Sequence, residues 1–139
     1  LILVAPDLRK NAINTYVDHI PAPLFNAVET EFQQVMVNLV INAIQAMGPG
    51  GSLTIRTQPA TRDGVTGTEV LVTDTGPGIP ADKIDSVFDP FMTTKRGTGS
   101  GLGLSISQTL VTRVGGLISA RSVPGEGATF SVWFPAGDN

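Results

Sequence analysis

The chain has no cysteine and only one histidine, one tryptophan and one tyrosine among its 139 residues. Without cysteine, neither a disulfide framework nor a thiolate metal centre is possible. Charge is sparse too. Charged residues make up 15%, the net charge is −3, and no long basic run occurs. That argues against a nucleic-acid footprint, although a phosphate ligand needs only a few local cations. No apolar run approaches the ~18 residues of a membrane span, and no signal peptide is visible. The expectation is a cytoplasmic domain that makes no membrane contact of its own, whether or not a longer parent protein is membrane-anchored. The chain opens at Leu1 in what reads as mid-helix sequence, as an excised fragment would. What is present is enough apolar residue, 41%, for a single domain over residues 1–139 with a real core, together with 16 glycines and 10 prolines.

Residues 2–11 read as a short or frayed helix and 14–20 as a strand, broken by Pro21 and Pro23. The clearest element is 31–47. Phe32, Val35, Met36, Leu39, Val40, Ala43, Ile44 and Met47 follow i, i+3, i+4, i+7 spacing. Thr30 and Gln33 fit a capping box and Gly48-Pro49 a stop. The stripe left polar is Glu31, Gln34, Asn38, Asn42 and Gln45. On so apolar a helix it must face water or a polar ligand, because buried amides without partners are costly. Residues 52–58 and 68–74 read as strands joined by a turn containing Asp63-Gly64 and Gly67. A long stretch rich in Gly and Pro follows, from Thr75 to Ser100, with one helical turn near Ile84–Val87. Its length suits a lid or binding loop. A helix over 101–114 and two strands, 117–123 and 128–134, complete the chain. The order suggests helices packed on one face of a mixed sheet, an α+β two-layer sandwich.

Four constellations carry chemistry. Asn38 and Asn42 stand at i, i+4 on the polar stripe. They are either solvated asparagines or neutral oxygen ligands for an ion that also binds phosphates. Asp74-Thr-Gly-Pro-Gly-Ile-Pro80 puts an acid at a strand end before two glycines. It is either an ordinary turn or a tight backbone around a ligand, its carboxylate accepting from the amine of a base. Gly97-Thr-Gly-Ser-Gly-Leu-Gly-Leu104 precedes a helix, as a flexible linker or as an anion site of bare N–H groups. Phe88-Asp-Pro-Phe91 followed by Met92-Thr-Thr-Lys95-Arg96 is a satellite apolar cluster beside a solvated cationic pair, or a lid anchored by aromatics whose cations reach phosphate.

In this order the four resemble the N, G1, F and G2 boxes of histidine kinases. The N box is Gln34-Val-Met-Val-Asn38-Leu-Val-Ile-Asn42-Ala-Ile-Gln45-Ala-Met47, the G1 box Asp74–Pro80, the F box Phe88–Phe91 and the G2 box Gly99–Leu104. Gly125–Pro135, with Thr129-Phe130, matches the family's closing strand. The resemblance spans about Ile13 to Pro135. It identifies a member of the GHKL superfamily with the Bergerat fold, similar to nitrogen-regulatory and oxygen-sensing kinases. The resemblance implies a mixed, mostly antiparallel sheet with about three helices on one face and an ATP lid over about 75–100.

It also implies ATP and Mg²⁺ as cofactors. Asn42 would ligate the metal, with Asn38 beside it as a second metal and catalytic candidate and Lys95 as a catalytic cation. Asp74 would accept from the adenine amine, with Gly76, Gly78 and Ile79 around the base. Gln45, Phe91, Thr94 and Lys95 would meet the nucleotide from the helix and lid. Gly99, Ser100, Gly101, Leu102 and Gly103 would cradle the phosphates, and Thr129 would support the adenine network. Gln45 departs from the lysine of many relatives, which gives Lys95 and Arg96 more weight. The implied partners are a dimerisation and histidine-phosphoacceptor domain and a downstream response regulator, both outside this chain. The superfamily's hydrolases place a water-activating Glu where this chain has Asn38, so transfer fits better than hydrolysis. The alternatives are a GHKL-type ATPase and a nucleotide-binding module without transfer. His19 precedes Ile20-Pro21 in a predicted strand and reads as structural or solvated rather than as the acceptor.

Overall fold

The structure, a computed structural model, describes residues 12–21, 25, 27, 29–89 and 103–137. Five strands form one sheet: β1 (Asn14–His19), β2 (Ser52–Arg62), β3 (Val65–Asp74), β4 (Leu117–Ser122) and β5 (Ala128–Pro135). Their order is β1-β2-β3-β5-β4. β1 runs parallel to β2, and the other neighbours are antiparallel. The expected mixed, mostly antiparallel sheet is therefore present.

Two α-helices are described, α1 (Glu29–Met47) and α2 (Gly103–Arg113), rather than about three. The turn expected near 84–87 is a 3-10 helix, Ile84–Ser86. Its bonds are short-range: Lys83 N–H to the Pro80 carbonyl, Ser86 to Lys83, and Asp89 to Ser86. Pro90 disfavours helical backbone at Asp89, so the turn does not grow. The stretch expected as a helix over 2–11 lies outside the described residues. No helix among the described residues is long and apolar enough to cross a membrane.

α1 buries the stripe its periodicity marks. Val35, Leu39, Val40, Ala43 and Ile44 are buried, with Phe32, Met36 and Met47 packed around them. It begins at Glu29, so Thr30 already lies inside the helix and does not cap it. The core also takes Leu53, Ile55, Val70, Val72, Phe130, Val132 and Phe134 from the sheet and Val111 from α2. Each such apolar side chain gains roughly 1.5–3 kcal/mol from leaving water. That is enough to hold an 11-residue α2 that would be marginal alone.

β2 and β3 run further than expected. Arg62 pairs with Val65 across a two-residue Asp63-Gly64 turn. Both turn residues have positive φ, 51° and 79°, the hairpin geometry that matches strand twist. Pro59 sits inside β2 without loss. Asn14 N–H bonds the Gly51 carbonyl and Ile20 N–H that of Thr57. Odd-numbered residues of β2 therefore turn their backbone polar groups toward β1, which has ended by Pro59. A missing N–H there costs no ladder bond.

Candidate functional site

The polar stripe of α1 faces α2. Glu31 pairs with Arg113 at 3.1 Å, near the end of α2. Asn38 bonds Gly103, the first residue of α2. The helices are therefore antiparallel. Asn42 lies one turn beyond Asn38, about 6 Å further along the axis at ~1.5 Å per residue, past the N-terminus of α2.

The four amide side chains of this stripe are not alike. Asn38 Nδ2 donates to the Gly103 carbonyl and to Ser107 Oγ, each at 3.1 Å, and its Oδ1 accepts from Gln34 Nε2 at 2.8 Å. Asn42 and Gln45 are half-buried, and among the described residues their amides have no hydrogen-bond partner. No polar atom of theirs is sealed from solvent without a partner. They are available to a ligand, whereas Asn38 is largely committed.

Asp74 ends β3 and is 2% exposed. Its Oδ1 accepts from Gly76 N–H at 2.9 Å and from Ala128 N–H at 3.3 Å. Oδ2 takes neither bond. Burial pushes the carboxyl above the usual carboxylate range, and the two N–H bonds pull it part of the way back. A carboxylate so placed is a fixed acceptor with one oxygen to spare.

The loop after Asp74 is held on two sides. A Cβ on Gly76 would come within 3.1 Å of the Ala46 carbonyl, so the loop lies against the last turn of α1. On the other side Ile79 N–H bonds Ser122 Oγ at 2.7 Å, and Gly125 N–H bonds the Pro77 carbonyl at 2.6 Å. Ser122 Oγ in turn donates to the Gly127 carbonyl at 2.9 Å. Gly127 has φ +99°, and a Cβ there would fall 2.1 Å from the Asp74 carbonyl oxygen. Only glycine lets the β4–β5 turn approach this closely.

Ile79 and Val87 are buried, and Phe88 meets Phe130 edge-on at 6.0 Å. The first part of the expected lid, up to residue 89, is thus packed on the core through these side chains. Phe91, Thr94, Lys95, Gly99, Ser100, Gly101 and Leu102 lie outside the described residues. Asp74, Gly76, Gly78 and Ile79 gather where β3 meets the β4–β5 turn. Gly76 lies against Ala46 and Gly103 against Asn38, so Asn42 and Gln45 fall on the stretch of α1 between them.

Thr129 does not join them. Side chains alternate along a strand. Thr129 pairs with Thr73, their hydroxyls 3.0 Å apart, on the face opposite Asp74. The neighbouring Ala128 takes the inner position, and its N–H reaches the carboxylate. Three further residues went unnoticed in the sequence: Ser107, Ser122 and Ala128. Ser107 left a signal, a hydroxyl at helical spacing from the apolar Leu104, Leu110 and Val111, and the structure buries it fully.

Residues 27–138 match the model of the family described as histidine kinase-, DNA gyrase B- and HSP90-like ATPase. The chain is 41% identical over 113 residues to the sensor histidine kinase ZraS of Escherichia coli strain K12, covering 81% of this chain and 23% of ZraS. It therefore spans less than a quarter of that relative. The catalytic domain of the histidine kinase ThkA superposes with a TM-score of 0.82 at 30% identity, over 96% of this chain and 86% of that one. ThkA in complex with the response regulator protein TrrA gives 0.79 at 30%, over 98% and 38%. Full-length ShkA in complex with AMPPNP gives 0.82 at 27%, over 99% and 29%. The chain belongs to the histidine kinase-, DNA gyrase B- and HSP90-like ATPase family, and its fold is that of a histidine kinase catalytic domain.

Proposed function

We propose that the chain binds Mg-ATP and passes the γ-phosphoryl group to a histidine on a separate dimerisation and phosphoacceptor domain, from which a response regulator receives it. The observation that carries this reading is the buried Asp74, with Oδ1 locked by two backbone N–H groups, and Asn42, whose amide has no partner among the described residues, on α1 between the Asp74 loop and the N-terminus of α2. Asp74 Oδ2 accepts from the adenine amine. The N-terminus of α2, which begins at Gly103, presents backbone N–H groups and the positive end of its dipole to phosphate oxygens. Asn42 fits a divalent ion shared with those phosphates, as a hard oxygen donor without a competing partner among the described residues. When bound, the ion neutralises charge on the transferring group. Lys95, and with it Thr94, Phe91 and the glycines from Gly99 to Gly103, complete the phosphate end in this proposal. In the transfer, an imidazole nitrogen of the acceptor bonds to the γ-phosphorus, the bond to the bridging oxygen breaks, and ADP leaves.

Transfer is favoured over hydrolysis by Asn38. An amide takes no proton at neutral pH, and its N–H groups are already committed to Gly103 and Ser107. A water nucleophile finds no base there, whereas an imidazole is itself nucleophilic. Incubated alone with γ-labelled Mg-ATP, the chain should bind nucleotide, stay unlabelled and release little phosphate. Acid-labile label on His19, an exposed residue of the edge strand β1, or brisk phosphate release, would contradict this.

A pH dependence follows from Asp74. Burial raises the carboxyl's pKa, and the ionised form is the stronger acceptor for the amine. ATP affinity should be full above that raised pKa and fall as the pH drops through it. Stability without ligand moves the other way, because protonation relieves the burial of charge. Titration calorimetry across this range compares wild type with Asp74→Asn, in which nucleotide protonation remains and the carboxyl is gone. Parallel pH profiles would remove Asp74 from base recognition.

A further inference from the structure

We infer that Asn38 and Ser107 form a latch that sets the N-terminus of α2 against α1, and that Asn38 is a positioning residue rather than a metal ligand. The inference rests on the nucleotide reading above. Both N–H bonds of the Asn38 amide cross to α2, one to the Gly103 carbonyl and one to Ser107 Oγ. Ser107 Oγ donates at 2.9 Å to the same Gly103 carbonyl. Three groups thus close a triangle around the first turn of α2. The orientation of the amide is fixed by chemistry. The Gly103 carbonyl only accepts, so the nitrogen of Asn38 must face it. The oxygen then faces Gln34, whose Nε2 donates to it at 2.8 Å. Ser107 is fully buried, where an apolar residue would pack as well and an unpaired hydroxyl would be costly.

The consequence is directional. The first turn of α2 carries the N–H groups that face phosphate, while Asp74 and its loop are held by contacts to Ala46, Ser122 and Ala128 that do not involve Asn38. Loosening the latch should therefore weaken the hold on the phosphates and leave recognition of the base intact. A metal ligand would behave differently: its loss would shift the Mg²⁺ requirement.

Three variants separate these roles: Ser107→Ala, Asn38→Asp and Asn42→Ala. Ser107→Ala keeps a strong helix former and removes one corner of the triangle. Asn38→Asp keeps the shape, loses both donors and turns a carboxylate on the Gly103 carbonyl. The measurements are ATP affinity by calorimetry, Mg²⁺ titration of that binding, and adenosine affinity by NMR titration. Ser107→Ala and Asn38→Asp should each lower ATP affinity about tenfold, the fold-change of one ordinary hydrogen bond. Adenosine affinity and the Mg²⁺ midpoint should stay at wild-type values, and the double variant should be little worse than either single one. Asn42→Ala should move the Mg²⁺ midpoint. Asn38→Asp that binds Mg-ATP as well as wild type or tighter would make Asn38 a metal ligand and overturn the latch. Wild-type ATP affinity in Ser107→Ala would also overturn it. Equal loss of adenosine and ATP would show a merely structural role. Wild-type protein that bound no nucleotide would overturn the nucleotide reading, and this inference with it.

Discussion

Asp74→Asn should cut ATP affinity by roughly 10- to 150-fold, the loss of one charge-assisted hydrogen bond worth about 1.5–3 kcal/mol in a desolvated site. The same variant should fold as well as wild type. Oδ1 accepts from Gly76 and Ala128 N–H, and an asparagine oxygen in its place keeps both bonds. The charge that burial disfavours is gone, so stability without ligand should hold or rise slightly. Discrimination should change with affinity. A carboxylate has acceptors and no donor, which suits the amine of adenine and repels the carbonyl of guanine, whereas an amide offers a donor to either. Calorimetry with ATP and GTP, beside thermal melts of both proteins, reads all three effects. Asp74→Asn with wild-type ATP affinity, or wild type that takes GTP as readily as ATP, would show that this carboxylate does not read the base.

Asn42→Ala should lower phosphoryl transfer to an added acceptor domain by about a hundredfold or more, since metal charge neutralisation supplies several kcal/mol to that step. The fold should tolerate the change. The Asn42 side chain is half-buried and bonded to no described residue, so its loss opens no core cavity and orphans no partner. Alanine is also the better helix former in the middle of α1. Transfer at the wild-type rate would remove Asn42 from the metal site. A large drop in melting temperature would instead make it a structural residue.

What could be read from the residues depended on how far the determining contact lay along the chain. The apolar stripe of α1 is local and periodic, and every residue it marked is at least partly buried. Asp74 was legible because a strand end followed by glycines is local too. The length of β2 was not. Pro59 looks like a terminator until one knows that β1 ends beside it. Thr129 was misplaced by one residue, and in a strand one residue is a change of face. Only the pairing of β5 with β3 shows that Ala128, not Thr129, meets Asp74. The commitments of Asn38 required the antiparallel packing of α2, and those of Ser122 required the β4–β5 turn to close on the Asp74 loop. The long-range partners were invisible, while the residue types that need partners were not.

The proposed activity is transfer to a histidine outside this chain. The direct measurement is incubation of the protein with γ-labelled Mg-ATP and a separately supplied histidine-bearing acceptor domain, followed by acid and base treatment of the products. Acid-labile, base-stable label should appear on the acceptor and none on this chain. Label released as free phosphate at the same rate with and without the acceptor, and never found on it, would contradict histidine transfer and make the protein an ATPase.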